Sequence, residues 1–269
     1  MKRAFPIVAF AIAAGLLPSP GVQAQSAGRG KGPARSYETT AVTVRAGELT
    51  QAFSLAALQQ LRRVTLTDVE QAGTDKGPQG VHSWSGASLR DVVLAVDPAF
   101  CSSAGSRSRL KVVSQDGWMV RVTWAELCGT ATGGEALFHV KGCNECHGVD
   151  GEGAPKEAMR AGPALRERFL DLAVVLAKLR AGGSQHSYIN PYTPSQLTEA
   201  DLSQILAWLA GKGVGASRYV VPESRRVILL AFEQDGQPMT GRDGLIQMVV
   251  GMDDFVNRFS HWVSEIDVE

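Results

Sequence analysis

The chain has little cysteine and no excess of charge, and each shortage excludes a class of protein. Four cysteines in 269 residues are too few for a scaffold held together mainly by disulfides. The 27 basic and 27 acidic residues cancel, so the charge gives no reason to expect a nucleic-acid partner. Hydrophobic residues still make up 44% of the chain, which is enough to build a buried core and argues against intrinsic disorder.

Long hydrophobic runs are also missing beyond the first residues. Ala4 to Leu17 is apolar and follows Lys2 and Arg3, but it is too short to span a bilayer comfortably. Val22-Gln23-Ala24 then offers small residues at the position that a signal peptidase reads. We therefore predict that residues 1–24 are a signal peptide, and that the mature protein is exported to the periplasm without stable membrane insertion. The alternative is a short membrane anchor that stays attached.

The rest of the chain divides into a tether, a strand-rich part and a helical part. Residues 25–38 are rich in Gly, Ser, Arg and Lys and are typical of a flexible tether. Residues 39–129 and 218–269 alternate like strands with short helices between them, whereas residues 130–217 show helical spacing and long loops. Because a strand-rich tail of about 50 residues buries little core alone, we expect its strands to pair with the first β-rich segment. The predicted fold is an α+β domain interrupted by an all-α domain.

Periodicity and turn residues also predict the individual elements. Strands are predicted at Ala41–Arg45, Val64–Thr67, Leu110–Val113, Met119–Trp124, Arg226–Phe232, Leu245–Val250 and Trp262–Val268. Helices are predicted at Ser54–Leu61, Ala87–Ala95, Glu135–Val140, Glu167–Arg180 and Thr198–Ala210.

The motif that carries chemistry is Cys143-Asn144-Glu145-Cys146-His147. The spacing C-x-x-C-H is the attachment signature of c-type haem. Two thiols three positions apart lie on one side of a helical turn, where each can add to one haem vinyl group, and the adjacent imidazole can ligate the iron. The alternatives are a redox C-x-x-C, which would follow a strand, and half of a zinc site, which would need further ligands. We predict one covalent haem c, with His147 as an axial ligand of the iron.

Several further segments around this motif resemble class I c-type cytochromes. They are Gly134-x-x-x-Phe138, Gly148-x-x-Gly151-x-Gly153, Gly162-Pro163-Ala164-Leu165, Leu197-Thr198-x-x-Asp201-Leu202 and Ile205 to Leu209. The resemblance covers about 80 residues. It implies that the Pro163 carbonyl accepts a hydrogen bond from the ligand imidazole. It also implies that Trp208, on a closing helix, packs against Phe138 on the opening helix.

The β-rich segments resemble the sulfite-oxidase-type molybdopterin-binding fold. The residues concerned are Trp84 to Val93, Ser114 to Trp118 and Ala231 to Pro238. Enzymes of that family ligate molybdenum through a cysteine, and no cysteine lies near Val64 to Gln71, where one would be expected. We therefore expect a relative without molybdopterin that serves docking or structure.

The sixth ligand of the iron is a separate question. The resembled family usually supplies a methionine shortly before the closing helix, and this sequence has none there. Met159 follows His147 too closely to reach the other face. His186 is the remaining strong ligand and is predicted as the sixth ligand. The alternative is a five-coordinate or water-bound iron with Ile189 packed over it.

The other two cysteines, Cys101 and Cys128, both lie in the β-rich part. An exported protein favours a disulfide between them, and two buried thiols are the alternative. The leading function is electron transfer with a periplasmic redox partner, such as an oxidoreductase, and without catalysis. The alternatives are a haem-containing, molybdopterin-dependent dehydrogenase or its electron-transfer subunit, and a haem-based sensor.

Overall fold

The structure is a computed structural model, and it describes most of the chain from residue 39 onward. The described residues are 39–73, 77–102, 109–153, 162–166, 168, 170–182, 192–211, 220–240, 244–253 and 258–269. The predicted signal peptide and tether, together with Met159, His186 and Ile189, lie outside these residues.

The described part contains ten strands and seven α-helices. The strands are β1 (Ala41–Ala46), β2 (Leu49–Ser54), β3 (Arg63–Gly73), β4 (Gly77–Ser88), β5 (Arg109–Ser114), β6 (Met119–Thr123), β7 (Ile228–Gln234), β8 (Gln237–Pro238), β9 (Gln247–Val250) and β10 (Val263–Val268). The helices are α1 (Leu55–Gln60), α2 (Leu89–Val96), α3 (Trp124–Leu127), α4 (Gly133–Val140), α5 (Asn144–His147), α6 (Leu172–Ala181) and α7 (Glu199–Leu209). A short 3₁₀ turn spans Glu223–Arg225.

The strands form two sheets, and in each of them a late strand pairs directly with an early one. The first sheet has the order β2-β1-β10-β5-β6, and the second has the order β3-β4-β7-β8, with β9 also paired to β7. Strand β10 runs parallel to β1 and antiparallel to β5. Strand β7 pairs with β4. The last 50 residues therefore complete both sheets instead of forming a unit of their own.

The main core draws its side chains from both sheets and from α1 and α2. Strand β7 shows how the sheets divide their faces, because alternate side chains point to opposite sides. Ile228, Leu230 and Phe232 belong to the main core, whereas Leu229 and Ala231 lie in a second cluster on the other face of the sheet. We call the two sheets with α1–α3 the β-rich body.

The prediction of an all-α domain for residues 130–217 is wrong. The chain as a whole belongs to the α+β class, and only α6 and α7 in this region are longer than eight residues. Much of the remaining described segment is turn and coil rich in glycine and proline, which do not favour helix interiors. Its two ends are also tied together by a β-bridge between Thr132 and Val220.

Helix α4 belongs to two cores at once. Ala136 and Val140 pack into the main core of the β-rich body. Leu137 and Phe138 point into a third cluster formed with α7. Every residue of the helix except Glu135 is buried, as expected for a helix that is enclosed on all sides. Residues 36–269 accordingly form one compact unit.

A buried ionic cluster reinforces the position of α4. The Arg258 guanidinium donates to Glu126 Oε1 at 2.6 Å and to Asp253 Oδ1 at 2.8 Å. Glu126 also accepts hydrogen bonds from the Thr123 amide and hydroxyl. On the α4 side, His139 Nδ1 lies 3.2 Å from Glu126 Oε1, with both side chains fully buried. This cluster places one guanidinium group and two carboxyl groups between the helix and the β-rich body.

A disulfide lies close to the start of the helical region. Cys101 and Cys128 are joined, with their Cα atoms 5.6 Å apart. Cys128 caps the C-terminus of α3, only a few residues before α4 begins. The bond closes a loop of about 28 residues and so stabilises the fold by roughly 3 kcal/mol through the unfolded state.

The buried cluster predicts a large effect of removing its cation. Arg258→Met keeps an apolar stem but leaves Glu126 and Asp253 buried without their partner. We expect the free energy of unfolding to fall by about 3–5 kcal/mol, measured by urea denaturation at neutral pH.

Arg45→Met is the matched control, because Arg45 pairs with Glu265 and Asp267 at the surface. Exposed ion pairs contribute little to stability, so the control should stay close to the wild type. Equal, small losses in both variants would contradict the importance of the buried cluster.

Candidate functional site

The C-x-x-C-H motif lies directly beyond the C-terminus of α4. Gly142 has a φ of +72° and turns the chain out of the helix. Cys143 then starts the single turn α5, in which the His147 amide donates to the Cys143 carbonyl at 3.1 Å. Neither Cys143 nor Cys146 is in a disulfide, and both are partly buried. Burial raises the pKa of the Cys143 thiol to about 12, so this sulfur carries its proton at neutral pH.

The His147 ring is oriented by the Gly162-Pro163 turn. Nδ1 of His147 lies 2.8 Å from the Pro163 carbonyl oxygen. Because a carbonyl only accepts, Nδ1 must be the protonated nitrogen, and Nε2 becomes the metal-binding nitrogen. The sequence resemblance assigned this role to Pro163, and the structure places its carbonyl at hydrogen-bonding distance.

Gly162 allows the turn to approach the motif this closely. Its amide donates to the Cys146 carbonyl at 2.6 Å. A Cβ atom at this position would lie 2.6 Å from that carbonyl oxygen and 2.8 Å from His147 Nδ1. Any side chain would therefore push the turn off the imidazole that it orients.

The crossing of α4 and α7 forms the frame behind the motif. Gly134 faces the backbone of α7, where a Cβ atom would collide with the Gln204 carbonyl. The rings of Phe138 and Trp208 lie 5.1 Å apart, tilted by 48°. The Arg166 guanidinium covers the Trp208 ring, with Cζ 4.8 Å from its centroid. The two aromatic rings that the resemblance paired are thus in contact.

An apolar wall of incompletely buried side chains surrounds Cys143. The third cluster includes partly buried residues, namely Leu165, Leu170, Leu172, Val175, Leu176 and Leu179. None of the residues of α6 is fully buried, although eight of its ten are apolar. An apolar cofactor beside Cys143 would cover such a wall. Two thiols, an oriented imidazole and this surface together fit a covalently bound haem.

Two polar contacts at the site were not expected from the sequence. Tyr192 is buried, and its hydroxyl donates to the Lys141 carbonyl at the end of α4. Burial raises the pKa of Tyr192 well above its ordinary value, which keeps this donor protonated. Asp150, just after the motif, pairs with Arg109 on β5. The sequence around Cys143 could not reveal either contact, because Tyr192 and Arg109 lie far from the motif along the chain.

His139 is fully buried. It lies between Glu126 and the loop after the motif, where it interacts with the Val149 backbone. Burial, together with Arg258, lowers the pKa of His139 to about 4 against the opposing effect of Glu126. The ring is therefore neutral at pH 7. His186 lies outside the described residues, so its predicted role as sixth ligand stays a prediction.

Comparison with known proteins also finds similarity in the region that contains the C-x-x-C-H motif. Residues 131–212 match the family model of cytochrome c. Cytochrome c-551 of Azotobacter vinelandii is 29% identical over 83 residues, which cover 28% of this chain and 93% of that protein. The chain thus carries a c-type cytochrome domain, and such a domain implies covalently bound haem c. The family-model match contains the C-x-x-C-H motif, and the resemblance of the β-rich body to the molybdopterin-binding fold stays a prediction.

The lowered pKa of His139 predicts a pH dependence of stability. In the unfolded chain a histidine titrates near pH 6.5, so between about pH 6.5 and 4 the unfolded state binds more protons than the folded state. The free energy of unfolding should therefore decrease as the pH falls through this window, by a total on the order of 3 kcal/mol. Urea denaturation at a series of pH values measures this decrease.

The variant His139→Gln isolates this contribution. The pKa of Glu126 is lowered to about 2 because Arg258 and His139 outweigh its burial. Its contribution to the free energy of unfolding is therefore lost mainly below pH 4.5. Asp253, whose pKa is raised by burial, works in the opposite direction. The contribution of Asp253 should cancel in the difference between wild type and His139→Gln, and above pH 4.5 that of Glu126 should be small because Glu126 stays ionised. His261→Gln is the control and should retain the wild-type slope. An unchanged slope in His139→Gln would contradict the assignment.

Proposed function

We propose that the protein is a periplasmic electron carrier with one covalently bound haem c, which exchanges single electrons with a redox protein partner. The observation that carries the proposal is the joint placement of two thiols and an oriented imidazole. Cys143 and Cys146 lie on one helical turn, and His147 Nδ1 is held 2.8 Å from the Pro163 carbonyl. This arrangement lies within the cytochrome c domain.

Each residue has a defined part in holding the group. The Cys143 and Cys146 sulfurs would form thioether bonds, each by adding across one vinyl group while the thiol proton goes to a vinyl carbon. His147 would ligate the iron, with the Pro163 carbonyl making its imidazole more basic. When bound, haem c supplies an iron centre that gains or loses one electron. The surrounding apolar side chains would exclude water and so contribute to setting the potential.

Export to the periplasm is part of the proposal. It is supported by the signal-like pattern of residues 1–24 and by the Cys101–Cys128 disulfide, a bond typical of oxidising compartments. Within the part of the chain that the structure describes, no helix is both long and apolar enough to cross a membrane. The partner would be a periplasmic redox protein that docks through a small and transient interface, as electron-transfer complexes do.

Removing both motif thiols tests the attachment of haem directly. In Cys143→Ala/Cys146→Ala no sulfur remains to form a thioether bond, so haem staining of denaturing gels should be lost. The matched control is Cys101→Ala/Cys128→Ala, which also removes two cysteines but should keep its haem stain. Full staining after loss of Cys143 and Cys146 would overturn the proposal.

The sixth ligand is tested by the absorption spectrum of the oxidised protein. If His186 ligates the iron, the wild type should be low-spin and His186→Ala should become high-spin, because a strong-field ligand is lost. His82→Ala, on strand β4, is the control and should leave the spectrum unchanged. A wild type that is already high-spin, or an unchanged spectrum in His186→Ala, would remove His186 from the iron.

A further inference from the structure

We propose that the β-rich body binds a small organic anion that carries a phosphate group or two carboxylates. The site is a pocket of about 410 Å³, within the volume range of ligand-binding pockets and larger than a lone inorganic anion needs. The side chains that matter to the argument are Arg62, Arg90, Arg226 and Glu223, with Leu127 and Ile228 as apolar wall. This pocket is separate from the cytochrome motif.

The fold gathers three guanidinium groups from distant parts of the chain. Arg62 immediately precedes β3, Arg90 lies in the first turn of α2 and Arg226 lies just before β7. The pairing of β3, β4 and β7 brings these positions to one pocket. Among the described residues that line the pocket, Glu223 is the only acidic one. Because Asp91 pairs with Arg62 from outside the lining, one positive charge remains in excess. Like charges repel unless an anion lies between them, and an anionic ligand would offset this excess.

The guanidinium groups retain donors that a ligand could use. Within the described residues, Arg90 makes no hydrogen bond or ion pair. Arg226 donates through Nε to the Val221 carbonyl at 2.7 Å. That bond fixes the plane of its guanidinium, and within the described residues both terminal nitrogens stay available to a ligand. Arg62 pairs with Asp91 at 3.3 Å and is largely exposed. Arginine recognises carboxylate and phosphate oxygens through pairs of parallel hydrogen bonds.

The other residues that line the pocket indicate which groups the ligand carries besides its charge. Leu127 and Ile228 are almost completely buried, and as lining residues they provide an apolar contact that an inorganic ion would not need. Ser88, also a lining residue, caps α2. The positive end of the dipole of this eight-residue helix adds to the attraction for an anion. A compact organic acid or phosphate ester satisfies both the charged and the apolar walls.

The pocket lies at the place where the chain passes between the body and the cytochrome domain. Cys128 and Gly129 line it just before that domain begins, and Glu223 and Arg226 line it just after the domain ends. A ligand would thus contact both connections, one of which is fixed by the disulfide to Cys101. Binding should therefore raise the thermal stability of the whole unit.

The experiment uses the full-length haem-loaded protein with glycerol 3-phosphate and citrate as separate probes. Titration calorimetry at constant ionic strength measures the affinity, and the melting temperature measures how far binding stabilises the fold. We expect one site per chain for at least one probe and a rise in melting temperature. Binding of glycerol 3-phosphate alone would assign the site to phosphate esters, and binding of citrate alone would assign it to carboxylates.

Two variants locate the site. Arg90→Gln removes a cation that has no hydrogen bond or ion pair within the described residues, and Arg226→Gln removes the guanidinium that the Val221 carbonyl orients. Each substitution should weaken binding about tenfold or more. Arg45→Gln, on the other sheet, removes the same charge and should bind like the wild type. The proposal is overturned if neither probe binds, if binding survives in both pocket variants, or if Arg45→Gln weakens it equally.

Discussion

The rest of the structure depends on the ion pairs that the buried Arg258 guanidinium forms with Glu126 and Asp253. Both carboxyl groups are buried, and an unpartnered carboxylate there would be strongly unfavourable. Glu126 in turn faces His139 on α4. A charged cluster of this kind tolerates little displacement, because each hydrogen bond compensates for lost hydration. It therefore fixes a helix of the cytochrome domain within the β-rich body.

Helix α4 sets the position of the functional site. The motif starts three residues after α4 ends, so Cys143 and His147 are placed by a helix whose other face lies in the main core. The Gly162-Pro163 turn then orients the imidazole, and the Arg109–Asp150 pair ties the following loop to β5. Residues from both the cytochrome domain and the β-rich body thus position the segment that contains the motif.

Local patterns in the sequence predicted the local features. The sequence predicts helices that begin at Ser54 and Thr198, and in the structure both residues cap a helix. The motif chemistry also followed from spacing alone, and the comparisons support a c-type cytochrome domain. Strand β4 was missed because its glycines, serines and proline hide the strand signal. The all-α prediction failed because helical periodicity was read across loops, and the role of His139 depends on Arg258, a partner that no local pattern reveals.

The central claim is that helix α4, which leads into the C-x-x-C-H motif, and the β-rich body fold as one cooperative unit. Equilibrium urea unfolding of the haem-loaded protein tests it most directly, followed in the same samples by haem absorbance and by far-ultraviolet circular dichroism. Because α4 is shared by two cores, the account predicts coincident transitions with one midpoint and one slope. Loss of the haem signal at a clearly lower urea concentration than the loss of secondary structure would contradict it.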